Sequence, residues 1–143
     1  MRLPTELERS AHALRLLHAS IDDTTEQALQ RSHGISVTEY LALAALEYSD
    51  DGGHLRQQVL AESIPLQHSS VSRLVSRLDR AGLTERYLCE SDRRGVYTQI
   101  TDRGRELVRT ARQTYLQALR TALSDARNDS RFAAWVAQLE GNS

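Results

Sequence analysis

The chain has 143 residues, 40% hydrophobic and 26% charged, which is ordinary usage for one domain with a real core. No apolar run approaches the roughly 20 residues needed to span a membrane. The opening Met1-Arg2-Leu3-Pro4-Thr5-Glu6 lacks the apolar core of a signal peptide, and one cysteine leaves no internal disulfide. The expectation is a soluble cytoplasmic protein with no membrane partner. The net charge of −1 hides an uneven distribution: residues 54–105 hold nine arginines against six acids, while residues 1–53 hold four against nine. A local basic patch matters more for phosphate binding than the total. All 18 cations are arginine. That reads mainly as genomic composition bias, although arginine also suits forked contacts.

Residues 5–30 read as a long helix, with Leu7, Ala11, Leu14, Leu17, Ile21 and Ala28 recurring at steps of three and four and one longer gap. Gly34 interrupts it. Ser36-Val37-Thr38-Glu39 is a capping box that opens a second helix through about Tyr48, with Leu41, Ala44, Ala45 and Tyr48 as its stripe. Asp50-Asp51-Gly52-Gly53 is a turn. A third, short helix is expected from about Leu55 to Ser63, stopped by Pro65. A fourth starts near Gln67 or His68 and ends at Gly82, a left-handed C-terminal stop. Residues 83–89 and 96–101 are strand-like, and the charged loop at residues 90–95 between them makes a hairpin. Thr101-Asp102 caps a fifth helix to about Ser124, with Leu107, Ala111, Tyr115, Ala118, Leu119 and Ala122 on one face. A last helix spans about residues 129–140. No repeat or low-complexity segment appears. The expected fold class is mainly α with a small β-hairpin wing, a winged helix-turn-helix.

The fourth helix is the informative one. Val71, Leu74, Val75 and Leu78 form a core stripe, and Ser69, Arg73, Ser76 and Arg80 lie opposite, flanked by Ser70 and Arg77. The lone acid, Asp79, lies nearer the core edge. Short hydroxyls let a helix sink into the major groove, and arginine can fork onto guanine or phosphate. Taken alone, the pattern also fits an ordinary solvated helix. The hairpin adds Arg93 and Arg94 beside Gly95. An arginine at a wing tip can enter the minor groove, and Asp92 can aim a neighbouring arginine. Alone, this segment also fits a plain polar turn.

Five stretches stand in one order: Leu60-Ala61-Glu62, the run Ser69 to Leu78, Gly82-Leu83, Asp92-Arg93-Arg94 and Ile100-Thr101-Asp102-Arg103-Gly104. Through them residues 35–108 resemble the MarR family of winged helix-turn-helix transcriptional regulators, whose wing carries Asp-x-Arg and leads into a Leu-Thr-x-x-Gly helix start. The resemblance implies a triangular α/β homodimer with interlocked terminal helices. It makes residues 67–80 the recognition helix and 83–101 the wing, with Arg94 in the minor groove supported by Asp92. It divides a single chain unit into a DNA-binding lobe, residues 35–104, and a helical dimerisation region, residues 1–34 plus 105–143. The implied function is sequence-specific binding of double-stranded DNA at a pseudo-palindromic operator, as a repressor relieved by a small-molecule ligand. The expected DNA-binding residues are His68, Ser69, Ser70, Ser72, Arg73, Ser76, Arg77, Asp92, Arg93 and Arg94. Two departures stand out. Pro65 replaces the family's turn glycine, and Gln67 replaces its Ser or Thr cap. Glutamine caps poorly, so the first turn is expected to begin at His68 or Ser69.

The terminal helices supply candidate dimer residues: Leu7, Leu14, Phe132, Trp135, Val136 and Leu139. An apolar face on a short terminal helix fits packing within the chain or across a dimer. Family members often respond to a phenolic or lipophilic effector. His12, Leu16, Tyr40 and Tyr48 are the candidates to line its site, against ordinary core packing for each. Cys89, on a predicted wing strand, reads as a buried inert thiol. The histidines have no metal-ligand spacing, so no metal or cofactor is expected. No P-loop, Gly-x-Gly-x-x-Gly, His-Glu-x-x-His or Gly-x-Ser-x-Gly is present, so no enzyme is expected. A pure protein-binding winged helix is the other alternative, and the arginine-rich wing with its acid-poor recognition face favours DNA.

Overall fold

The structure is a computed structural model that describes residues 2–89 and 92–141, with backbone alone at residues 89 and 92–94. Its elements are α1 (Glu6–His33), α2 (Val37–Glu47), β1 (His54–Arg56), α3 (Gln57–Glu62), α4 (His68–Arg80), β2 (Thr84–Cys89), β3 (Asp92–Ile100), α5 (Asp102–Arg127) and α6 (Ala133–Glu140). They make two compact units: residues 33–112 form a lobe, and the residues on either side form a helical unit. The lobe thus takes in the start of α5, where Val108 and Ala111 are buried.

In the lobe, the capping box at α2 is complete. The Glu39 amide donates to Ser36 Oγ at 3.1 Å, and the Ser36 amide donates to Glu39 Oε1 at 3.2 Å. Each bond satisfies an amide that the helix itself cannot. Ser36→Ala is expected to lower stability by about 1 kcal/mol, measured by urea unfolding. In α4, Val71, Leu74, Val75 and Leu78 are all buried, as the stripe requires. The helix stops at Gly82, whose φ of 75° lies in the left-handed region open to glycine. The Gly82 and Leu83 amides return to the carbonyls of Asp79 and Leu78, both at 3.0 Å, closing a Schellman turn.

The sheet has three antiparallel strands in the order β1-β3-β2, not the expected two. The third helix does not begin at Leu55. His54-Leu55-Arg56 instead pairs with β3, placing His54 opposite Gln99 and Arg56 opposite Tyr97. The Ile100 amide donates to the Gly53 carbonyl at 2.9 Å, which carries the pairing back into the turn. The second wing strand also starts earlier than expected. Asp92–Gly95, read as loop, belong to β3, and Asp92 pairs with Cys89. A backbone ladder needs no apolar side chains, so a charged segment can join it at the protruding end of a ribbon.

Thr101 closes the lobe. Its Oγ1 accepts from the Gly104 amide at 3.1 Å, capping α5, and donates to the Gly82 carbonyl at 2.7 Å. Gly104 then lies against Leu83: a Cβ there would sit 2.3 Å from the Leu83 carbonyl oxygen and 2.7 Å from an Ile100 side-chain carbon.

The helical unit has its own core. Ala13 and Leu17 of α1 pack with Ala126, Phe132 and Val136, and Trp135 lies half-buried against them. The buried line of α1 is Ala13, Leu17, Thr25 and Leu29, so of the predicted stripe Leu17 is buried and Ile21 half-buried against the core, while Leu7 and Leu14 are exposed. Helix α6 begins at Ala133 rather than 129. Asp129 holds a turn instead, accepting from the Arg131 amide at 2.9 Å, while the Phe132 amide reaches the Asp129 carbonyl at 3.0 Å. Hydrogen bonds from the Arg131 guanidinium, the nearest at 2.8 Å, and then that amide bond hold the Asp129 carboxyl below its ordinary range. Burial, with the Asp22 carboxylate adding to it, pushes the Tyr115 phenol above its ordinary value.

Candidate nucleic-acid interface

The exposed side of α4 carries His68, Ser69, Ser72, Arg73 and Arg77, with Ser70 and Ser76 half-buried beside them. The helix starts at His68, and its N-cap Gln67 makes no side-chain capping bond. The poor cap predicted from Gln67 is therefore the cap present. Short internal bonds hold the polar side chains in place. Ser76 Oγ donates to the Ser72 carbonyl at 3.0 Å, and Arg73 reaches Ser70 Oγ at 3.5 Å.

Asp79 is the only carboxylate on this helix. It accepts from Thr84 Oγ1 and from Arg86 Nε, both on β2, and Arg86 also reaches Ser76 Oγ at 3.4 Å. The acid is neutralised by an ion pair and turned toward the wing, so the exposed face keeps an excess of positive charge. The same contacts tie α4 to the wing's first strand. Helical geometry puts Asp79 at the core edge, but no spacing rule points to Arg86, because the partners lie on different elements.

The wing's backbone places Asp92, Arg93 and Arg94 on β3 near its start. Their side chains, like that of Cys89, lie outside what the structure describes. A polar cleft of about 670 Å³ opens where α3, α4 and β3 meet, lined among others by Arg56, Gln57, His68, Ser72 and Val96. Of these, only His68 and Ser72 were expected at a site. Arg56 and Gln57 carried no periodic signal, because they sit where a strand gives way to a six-residue helix, and Val96 lies on β3.

The remaining candidates fall in both units. His12 and Leu16 share a cavity of about 410 Å³ in the helical unit with Arg9, Arg131 and Trp135. Tyr40 and Tyr48 belong to the lobe. Tyr40 is 4% exposed, whereas Tyr48 is 54% exposed, with the Arg112 guanidinium 5.6 Å over its ring. Of the dimer candidates, Phe132 and Val136 are spent within the chain against Ala13 and Leu17, so their apolar surface does not face outward. A short terminal helix hides its largest side chains on whatever apolar face its own chain supplies. Leu7, Leu14 and Leu139 are exposed, at 79%, 43% and 57%. Among the described residues no helix is long and apolar enough to cross a membrane.

Comparison with known proteins agrees with this architecture. Residues 33–95 match the profile of the MarR family. The transcriptional repressor MprA of Escherichia coli (strain K12) is 28% identical over 102 residues, which cover 69% of this chain and 57% of MprA. The chain thus spans little more than half of that relative's length. Sco3205, a MarR family transcriptional regulator of Streptomyces coelicolor crystallised with DNA, superposes with a TM-score of 0.78 at 27% identity, covering 97% of this chain and 87% of that one. CouR of Rhodococcus jostii RHA1, crystallised with p-coumaroyl-CoA, superposes with a TM-score of 0.64 at 28% identity, covering 73% of this chain and 71% of that one. Residues 33–95, which hold the helix-turn-helix and most of the wing, carry the profile of the MarR family, and the likeness to Sco3205 extends over nearly the whole chain.

Proposed function

We propose that the chain is a sequence-specific regulator of transcription that binds double-stranded DNA as a homodimer. One observation carries this reading: α4 exposes hydroxyls and arginines while its only acid is held by Arg86 and Thr84. In it, Arg73 and Arg77 meet the major groove or its phosphates, with His68, Ser69, Ser70, Ser72 and Ser76 close enough to read or seat the duplex. Arg94 enters the minor groove, with Asp92 and Arg93 beside it. The uncapped amides at the start of α4 suit a phosphate. The exposed Leu7, Leu14 and Leu139 are the apolar surface a second copy would cover, and Trp135 would lie at its edge. A two-fold dimer then sets two α4 helices about 34 Å apart, one turn of DNA, which matches a pseudo-palindromic operator. Such a regulator works where the chromosome is, in the cytoplasm.

The finer reading is a repressor relieved by a small lipophilic or phenolic effector. MprA is named a repressor and CouR was crystallised with an aromatic acyl thioester, which supports it by analogy. The cavity at His12 and Leu16 and the stacked pair Tyr48 and Arg112 are the places to look for the effector.

The test uses duplex fragments selected from genomic DNA by the purified protein. At fixed salt, Arg77→Ala and Arg94→Ala are each expected to weaken binding at least tenfold, since a good arginine contact contributes about 1–3 kcal/mol. Unchanged affinity for both variants would remove the assigned face and wing together.

A further inference from the structure

The geometry points to a backbone clamp separate from the base-reading face: Arg56, Gln57, His68 and Ser72 seat one phosphodiester of the duplex in the cleft between the recognition helix and the wing. This deepens the DNA-binding reading and rests on it. The cleft holds about 670 Å³, and its lining supplies a guanidinium, side-chain amides, an imidazole and a hydroxyl, with no carboxylate among the described residues that line it. That donor set fits an anion and disfavours a cation.

The clamp is also built rather than incidental. Gln57 Nε2 donates to Ser72 Oγ at 3.4 Å, which joins the start of α3 to the exposed side of α4. Arg56 ends β1, and its guanidinium lies 6.0 Å from the centre of the Tyr97 ring. Tyr97 in turn stacks on Tyr87 with ring centres 5.7 Å apart, and His54 packs edge-on to Tyr97 at 5.6 Å. Three side chains, one from each strand, therefore limit where Arg56 can swing. A guanidinium held on an aromatic stack loses less freedom when it binds phosphate than a free one does. Its location also separates it from base reading. In a helix-turn-helix the first helix runs along the backbone while the second enters the groove. Here the clamp sits where the first helix begins, so it positions the duplex and carries no sequence information.

The experiment measures binding of the full-length protein to a selected genomic fragment and to a scrambled duplex by fluorescence anisotropy, as a function of KCl. Arg56→Ala is expected to weaken binding by the same factor on both duplexes. It should also flatten the slope of log affinity against log salt by about one per protomer, whereas Arg56→Lys keeps the slope. Arg56 is exposed, so thermal unfolding of the variant should match that of the parent. Tyr97→Leu, with Arg56 intact, is expected to weaken both duplexes alike and to a smaller degree. A parent that shows no salt-dependent binding to either duplex sinks the DNA-binding reading itself. A parent that binds as expected, beside an Arg56→Ala variant with an unchanged slope, overturns the clamp alone. A variant that loses only its preference for the selected fragment overturns it too, because Arg56 would then be reading bases.

Discussion

Replacing Gly104 with alanine is expected to destabilise the winged lobe by about 3 kcal/mol, the upper end of what overpacking a tight interior costs. The reason is the atom that a new methyl group would meet. It would stand 2.3 Å from the Leu83 carbonyl oxygen. That oxygen is backbone, and it already accepts from the Thr101 amide at 3.1 Å, so it cannot swing aside as a side chain would. Relief requires the first turn of α5 to lift away from Leu83. Lifting it loosens the Thr101 cap and exposes Ile100, which is 2% accessible. Urea unfolding should show a lower midpoint with an unchanged slope. An alanine variant within 0.5 kcal/mol of the parent would mean that this close approach is not maintained in solution. The spacing from Thr101 to Gly104 thereby has a steric cause: the threonine caps the turn that the glycine allows to come close.

The second large effect is expected at Arg105. Its Nη1 donates to Glu47 Oε1 at 2.9 Å, its Nη2 donates to the Gly52 carbonyl at 2.8 Å, and Arg109 lies 3.5 Å from the other Glu47 oxygen. The Glu47 side chain is 7% exposed. Arg105→Met leaves that carboxylate buried beside one weaker, largely exposed partner, and is expected to cost about 3 kcal/mol. Pairing it with Glu47→Gln should recover most of the loss, because the uncompensated charge is then gone. A double-mutant cycle under urea measures the coupling. If Arg105→Met alone is neutral, the buried pair does not fasten α2 to α5. Arg105 also explains the second glycine of the turn. Gly53 has a φ of 96°, and a Cβ there would lie 2.3 Å from Arg105 Nη2, so both the backbone and the half-buried guanidinium require glycine.

What the sequence made legible follows from how local each signal is. Helix α4 could be read because its stripe and its glycine stop lie within fifteen residues, and the capping box at Ser36 because it closes over four. Strand β1 could not, since three residues are too few to show a period and the pairing partner lies more than forty positions away. The candidate site divides along the same line. The exposed hydroxyls and arginines of α4 follow from helical geometry alone. The contacts that shape the site, Asp79 with Arg86 and Arg56 with Tyr97, arise only when separate elements meet. The terminal helices show a different failure. Phe132 and Val136 were correctly read as an apolar face, but periodicity says nothing about which apolar surface will cover it, and α1 of the same chain does so.

The Thr101 hydroxyl has a mechanical consequence. One oxygen atom bonds both the carbonyl that ends the recognition-helix turn, at Gly82, and the amide in the first turn of α5, at Gly104. The two helices therefore share a pivot rather than a flexible loop. Any rotation at the start of α5 must either swing the end of α4 with it or break that joint. A displacement at the start of α5 thus has a short lever to the exposed face of α4, and Thr101 is its fulcrum.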